Sequence, residues 1–472
     1  MRNPMWISVL FLALLAPTLL QSPGAAAPAS LTDFTGVYAY RDGATVAIVP
    51  RRGELVAILD EALYGLRRVN GDEFRNGVGQ PVRFVRGERG EVVGVKEGED
   101  YFPRRTATVP AELVALTVPR EGAAASWRRR PPAQLDDGLE IGTPAEAGFR
   151  ERTLDGLVQS IASEKYPDVH GVLLWRRGKL VYEEYFYGFD RDRPHPLRSA
   201  TKSFHSVLLG IAVDRGKIRS DQQPIAELLP WPVASLANPD PRKARITVGD
   251  LLSMRTGLAC DDRDASSPGN EQLIYSKPDW ARFTLDLPMV ADPGTVARYC
   301  SGGTHVAGRL VERATGEDLL SFARKSLFEP LGFKGYRWPY QPVPENAGTF
   351  GQLYLRPRDM LKFGIMVLDK GRWKGLQIVS QGWIERSTRQ RARIGSRGYG
   401  YLWWWQTFQV GSGAGRRDVE ALLATGNGGQ KIYIIPSLQL VAVFTGGAYN
   451  APQDSAPNAI LPEVLLPDLL HP

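Results

Sequence analysis

The sequence predicts an α+β fold: an antiparallel sheet with helices on both faces and a helical subdomain, preceded by a small all-β domain. Three observations carry this. Short strand-like runs separated by turn dipeptides fill 35–104. A two-strand hairpin at 171–185 leads into an amphipathic helix beginning near Ser199. Strand-like apolar runs then return towards the C-terminus, around Gly428-Gly429-Gln430 and from Val441 to Phe444. At 472 residues the chain is too long for one ordinary domain and has ample material for two cores.

Residues 1–29 read as a signal peptide. Arg2 gives a basic start, an apolar run from Met5 to Leu20 is broken by Pro17, and Ala27-Pro28-Ala29 supplies small residues for cleavage. The run is too short and too interrupted for a membrane span. A periplasmic or secreted protein is therefore expected. The segment has no cysteine to carry a lipid.

Residues 30–117 read as the small all-β accessory domain, a barrel or sandwich. Its turns are marked by Arg41-Asp42-Gly43, Arg51-Arg52-Gly53, Asn70-Gly71-Asp72, Arg86-Gly87-Glu88 and Glu97-Gly98-Glu99. It holds no constellation of titratable groups that suggests chemistry. Residues 118–142, rich in Ala, Arg and Pro, read as a linker. Arg128-Arg129-Arg130 beside Pro131-Pro132 is a compact basic cluster, better explained by a solvated linker than by a nucleic-acid site. The net charge of +7 favours solubility and attraction to acidic surfaces. No nucleic-acid motif accompanies it.

Whatever chemistry the chain performs is expected in 143–472. A helix is predicted near 152–164, then the hairpin Gly171-Val172-Leu173-Leu174-Trp175, a turn at Arg177-Gly178, and Leu180 to Tyr185. Then come Ser199 and Lys202, three residues apart, followed by Phe204, Val207, Leu208, Ile211 and Ala212 at helical spacing, with Asp214-Arg215-Gly216 as the stop. Residues i and i+3 share a helix face, so the Ser199 hydroxyl lies beside the Lys202 amine. A serine is a poor nucleophile until a base takes its proton. Lysine is that base only if burial or nearby positive charge lowers its pKa from about 10.4. Taken alone, S-x-x-K is weak: a capping serine with a solvated lysine one turn on explains it about as well.

Competing schemes fail on inspection. No serine lies in G-x-S-x-G. The five histidines show no metal-ligand spacing, and no cofactor or metal is expected. His205, one turn past Lys202, reads as a helix-packing residue. Cys260 and Cys300 are the only cysteines; an even count in an oxidising compartment favours a disulfide over two separate buried thiols. A bond closing that loop contributes about 4 kcal/mol in the chain-entropy model.

From about 171 to 447 the chain resembles the penicillin-recognising serine hydrolases: class C β-lactamases, D-Ala-D-Ala peptidases, related esterases and nylon-oligomer (6-aminohexanoate-dimer) hydrolases. The landmarks occur in order: the hairpin, Ser199-x-x-Lys202, Leu251-Leu252-Ser253-Met254-Arg255-Thr256-Gly257-Leu258, Tyr299-Cys300-Ser301-Gly302-Gly303, Phe328-Glu329-Pro330-Leu331-Gly332, Arg356-Pro357-Arg358-Asp359-Met360, and the last strand pair. The resemblance implies the β-lactamase/transpeptidase-like fold, Ser199 as nucleophile, Lys202 as base, and Tyr299 as the group that relays a proton to the leaving group and later activates water. Ser301 takes the supporting position, holding Lys202 by hydrogen bonding.

The family's third element, Lys- or His-x-Gly on an edge strand, is where the chain departs. Counting back from Pro436 puts it on Ala421-Leu422-Leu423, without cation, hydroxyl or glycine, and makes the backbone N–H groups of Ser199 and Ala424 the oxyanion hole. A shifted count gives Asn427-Gly428-Gly429. Efficient β-lactamase activity is thus not expected. Gly428-Gly429-Gln430 and Tyr399-Gly400-Tyr401-Leu402-Trp403-Trp404-Trp405 look most similar to the nylon-oligomer branch, with Trp403, Trp405 and Gln430 as candidate substrate-binding residues. A strand burying alternate tryptophans accounts for Trp403 and Trp405 equally well. A Cys260–Cys300 bond would brace the Tyr299 loop.

The expected function is an exported serine hydrolase cleaving an amide or ester bond in a small linear molecule, as a monomer or homodimer. The alternatives are a D-Ala-D-Ala-type peptidase or weak β-lactamase acting on cell-wall peptides, and a sensor that is acylated but turns over poorly.

Overall fold

The computed structural model describes residues 30–470 apart from 41–42, 60, 78, 121–125 and 341–350. The leader expected at 1–29, Asp42 of the first expected turn and the Ala123-Ala124-Ala125 part of the linker lie outside these residues.

The N-terminal strands Gly36–Ala39, Thr45–Arg51, Glu54–Leu59, Ala62–Asn70, Glu73–Arg75, Pro81–Arg86, Val92–Glu97 and Asp100–Thr106 pair in sequence order. The last returns to the first, closing an eight-stranded antiparallel barrel. Closure removes the free edges that an open sheet of this size would expose. Period-2 alternation then has an unusual consequence. In Thr45–Arg51, Val46 and Ile48 join the inner apolar cluster, whereas Ala47 and Val49 point outward and are buried all the same. So are Val56, Ile58 and Leu63. This side of the barrel packs into the core of the second domain. Polar contacts fix the seam: the Arg51 guanidinium pairs with Asp168 and its Nε–H donates to the Thr117 carbonyl (3.1 Å), while Arg193 pairs with Glu61 (2.8 Å).

In the second domain, nine strands among the described residues form one sheet. Their order is Ala392–Ile394, Arg397–Tyr399, Trp404–Val410, Arg417–Gly426, Gln430–Ile435, Leu440–Gly446, Val169–Arg176, Lys179–Tyr185, Glu140–Ile141. Neighbours run antiparallel except the last, which lies parallel to Lys179–Tyr185. The segment expected as linker thus ends by adding an edge strand. The 171–185 hairpin turns at Arg177 and Gly178, both at positive φ (50° and 91°), the geometry that matches the right-handed twist of flanking strands.

Helix Pro357–Leu368 lies across one face of the sheet. Gly364 makes this close approach possible, since a Cβ there would sit 2.6 Å from Val441 and 2.8 Å from Ile432. The alternate residue Tyr433 projects to the other face, where its hydroxyl donates to Asn458 (2.8 Å) in the C-terminal helical segment. Helices thus cover both faces, as expected. Helix Thr201–Asp214 is buried from Thr201 to Ala212, and Phe204 stacks on Phe363 with ring centroids 3.7 Å apart. It ends where Asp214-Arg215-Gly216 predicts, with Gly216 at φ +66°. Among the described residues no helix is long and apolar enough to cross a membrane.

Candidate active site

Ser199 does not begin the long helix. It occupies a single 3-10 turn, Arg198–Ala200, that feeds into Thr201–Asp214. The three-residue spacing still brings the side chains together: Lys202 Nζ donates to Ser199 Oγ at 3.0 Å and to Ser301 Oγ at 3.0 Å. Ser301 opens helix Ser301–Thr315, whose N-terminus is capped by Cys300 through a Gly303 N–H···Sγ bond (3.4 Å). Tyr299, two residues earlier, brings its ring centroid to 5.1 Å from Lys202 Nζ. Cys260 and Cys300 are disulfide-bonded.

That disulfide brings in two carboxylates that sequence reasoning missed. Asp262, two residues past Cys260, accepts the backbone N–H of Ser301 (2.7 Å) and of Glu271 (3.0 Å). Glu271 in turn accepts the Ser301 hydroxyl proton (3.0 Å). A chain of contacts runs Ser199–Lys202–Ser301–Glu271. The signal for Asp262 was its place beside Cys260; for Glu271 it was Asn270, an N-cap residue directly before it.

The charge balance corrects the expected pKa of Lys202. Burial pushes its ammonium down, but Tyr299, Glu271 and Asp262 together outweigh burial and hold it above its ordinary value. Burial or nearby positive charge was expected to lower it; burial does act in that direction, but the groups that face the amine are acidic. The Asp262 carboxyl is pushed up to about 6, by burial first and then by the charge of Glu271.

The third element also requires correction. The strand end that meets Ser199 is Gly426, not Leu423. A Cβ on Gly426 would lie 2.1 Å from the Leu197 carbonyl oxygen and 3.1 Å from Ala200 N. The triplet at this place therefore reads Ala424-Thr425-Gly426, with hydroxyl and glycine present and alanine where the family carries a cation. Counting from Pro436 failed because the connection at 427–429 is short, Gly426 pairing directly with Gln430 while Gly428 and Gly429 both adopt positive φ. Ala424 is wholly buried and does not line the cleft; Asn427 does.

A cleft of ≈ 360 Å³ opens over Ser199 and Lys202, bounded by Glu271, Ser301, Gln352 and Asn427. The candidate aromatic walls are not in it. Trp403 is wholly buried and stacks on Phe363 (5.8 Å). Trp405 is half-buried, its indole N–H donating to the Thr388 carbonyl. Gln430 is wholly buried, its amide donating to the Gly446 carbonyl (2.6 Å). The tryptophan beside the site is Trp404, whose ring lies 5.4 Å from Tyr299 and 4.6 Å from Tyr399. The barrel, read from the sequence as an accessory module that packs on the enzyme or modulates access to it, contributes Tyr64 to the cleft. Its hydroxyl accepts from the Arg198 guanidinium (2.9 Å). Among the described residues no group of three His, Cys, Asp or Glu is placed to hold a metal ion. The chemistry at hand is a serine hydroxyl, an amine and a phenol.

A family model described as Beta-lactamase matches residues 159–461. Penicillin-binding protein 4 of Amycolatopsis lactamdurans is 29% identical over 200 residues, which span 37% of this chain and 50% of that protein. The 6-aminohexanoate-dimer hydrolase of Paenarthrobacter ureafaciens is 27% identical over 257 residues, spanning 52% of this chain and 63% of its own. The chain thus spans between half and two thirds of the length of these relatives. The solved structure of EstCE1, described as a hydrolase with promiscuous acyltransferase activity, superposes with a TM-score of 0.51 at 15% identity, over 69% of this chain and 99% of that one.

Two predictions follow from this geometry. Gly426→Ala forces a methyl group onto the Leu197 carbonyl, so the Ser199 turn must shift. Its kcat is expected to fall roughly a hundredfold, as for a displacement of about an ångström at a reacting group, with roughly 1–3 kcal/mol lost from urea stability through overpacking. Glu271→Gln keeps an acceptor for Ser301 but removes a negative charge that holds the proton on Lys202. The Lys202 pKa then falls, the neutral amine appears at lower pH, and the rising limb of kcat/KM moves to lower pH. A pH–rate profile of the two enzymes measures it; an unmoved limb contradicts the electrostatic role.

Proposed function

From the premise that the chain belongs to the Beta-lactamase family and is a serine hydrolase, we propose that it cleaves an amide or ester bond in a small linear substrate through an acyl-enzyme on Ser199. The observation that carries this reading is the Lys202 ammonium group bridging Ser199 Oγ and Ser301 Oγ on the wall of an open cleft.

In the neutral fraction of Lys202, which grows with pH, the amine takes the Ser199 proton as Oγ bonds to the substrate carbonyl carbon. The oxyanion that forms is held by the backbone N–H groups of Ser199 and Asn427. Asn427 takes the place expected for Ala424, because it follows the glycine that abuts the Ser199 turn and lines the cleft. As the carbonyl re-forms, the bond to the leaving group breaks and the departing amine or alcohol collects a proton relayed through Tyr299. Water then attacks the ester, losing its proton to the Tyr299–Lys202 pair, and Ser199 regains its own as the acid departs.

Export to the periplasm or beyond is part of the proposal. It is supported by the leader-like pattern of 1–29 and by the Cys260–Cys300 bond, which belongs in an oxidising compartment. Cell-wall peptides and β-lactams are the second reading, favoured by the Lys202–Ser301 geometry. Ala424 disfavours it, since a cation at that position serves substrate-carboxylate recognition in the families the chain resembles.

The test is hydrolysis of p-nitrophenyl esters, a linear 6-aminohexanoate dimer, a D-Ala-D-Ala peptide and nitrocefin by wild-type protein and Ser199→Ala. Ester or dimer turnover lost on substitution, with nitrocefin and the peptide nearly untouched, is the expected outcome. Brisk nitrocefin or peptide hydrolysis selects the second reading. Turnover that survives Ser199→Ala removes the mechanism.

A further inference from the structure

The barrel is hollow on the side that faces Ser199. Val46, Ile48, Leu66, Val82, Val95 and Phe102 line a cavity of ≈ 270 Å³. The opposite end is plugged: the short helix Leu31–Phe34 places the wholly buried Phe34 ring 5.2 Å from Phe74 and 4.5 Å from Phe84. At the near end the lining passes to Tyr64 of the barrel and to Tyr449 and Asn450 of the second domain. Tyr64 and Asn450 also line the Ser199 cleft. The two cavities therefore adjoin, with two side chains common to both.

The partition is tied to the nucleophile. Arg198, adjacent to Ser199, adopts φ +50°, uncommon for a residue with a long side chain. Its guanidinium donates to Tyr64 (2.9 Å) and lies 4.6 Å from the centre of the Tyr449 ring. A barrel docked only for stability has no need to aim its lumen at the catalytic serine.

We propose that the barrel lumen is a binding site for the apolar end of the substrate, a medium-length uncharged alkyl or aryl chain whose ester or amide carbonyl sits at Ser199. The proposal rests on the acyl-enzyme reading and sharpens its substrate class. The lining restricts the chain end. Glu97 accepts from Tyr40 (2.9 Å) and Asn76 (2.9 Å), and a charged chain end entering the lumen would shed its water among the valine, isoleucine, leucine and phenylalanine side chains that line it. Tyr64 and Asn450, amphipathic and polar at the threshold, suit the passage from polar carbonyl to apolar tail.

The first experiment uses the wild-type chain and an alkyl fluorophosphonate bearing a diazirine at the chain end. Ser199 Oγ bonds to phosphorus, fluoride leaves, and irradiation marks whatever the tail touches. Peptide mapping is expected to find phosphonylated Ser199 with cross-links in Thr45–Arg51, Ala62–Asn70 or Val92–Glu97. Labelled Ser199 with cross-links confined to the second domain overturns the lumen site while leaving the nucleophile intact. Failure to label Ser199 overturns both. The second experiment separates the two ends of the substrate: p-nitrophenyl acyl esters from acetate to decanoate, and acetate esters of alcohols from methanol to octanol. In the arm that enters the barrel, kcat/KM rises roughly fourfold per methylene until the lumen fills. Ala57→Trp and Val95→Phe, each placing a ring in the lumen, lower the long-chain to short-chain ratio in that arm at least tenfold. Flat series in both arms, or an unchanged ratio in both variants, contradicts the proposal.

Discussion

The Lys202 ammonium group, held 3.0 Å from Ser199 Oγ and 3.0 Å from Ser301 Oγ, is the contact on which the rest of the hydrolase domain converges. A buried cation is costly unless it is paired and hydrogen-bonded. The structure meets that cost from three directions. Helix Thr201–Asp214 buries the lysine stem, the start of helix Ser301–Thr315 supplies one hydroxyl acceptor, and Asp262 in the loop after Cys260 and Glu271 at the start of the short helix Glu271–Ile274 form a second layer of charge. The disulfide ties that loop to the residue before Ser301. The acid pair thus serves two ends: it fixes Ser301, and it keeps the proton on Lys202 until a higher pH than an isolated buried lysine would.

The same convergence explains the sheet's role. Gly426 ends its strand against the Leu197 carbonyl with no space for a side chain, so the sheet and the Ser199 turn are set directly against each other, backbone to backbone. Helix Pro357–Leu368 couples both to the core through the Phe204–Phe363 stack and the close approach at Gly364. The barrel completes the enclosure. Its outward residues are buried in the second domain's core while its lumen adjoins the cleft, so its docking and its opening face the same neighbour.

Much of this was legible in the residues. Turn dipeptides marked the barrel strands, the 3.6-residue spacing after Ser199 marked the central helix, and the order of landmarks marked the family and brought Ser199, Lys202, Tyr299 and Ser301 together. Other features were not, for physical reasons. Trp403, Trp404 and Trp405 differ by one position each, and which ring meets Tyr299 depends on where the strand begins, a detail that composition does not carry. The third element was misplaced because a turn of glycines at positive φ shortens the connection to the next strand, and counting from Pro436 assumes its length. The direction of the Lys202 pKa depends on Glu271 and Asp262, which only the disulfide and an N-capped helix bring to it. Tyr64 was invisible because the domain that carries it has no catalytic signature of its own.

The most direct test of the central claim, that Ser199 is acylated beside Lys202 and released with the help of Tyr299, is rapid-quench mass spectrometry of a Tyr299→Phe variant with a p-nitrophenyl ester. The expected result is an adduct of the acyl mass confined to the peptide containing Ser199, accumulating in the variant because proton relay to and from water is slowed, and short-lived in the wild type. An adduct on another residue, or ester turnover in both proteins with no covalent species at any quench time, would contradict it.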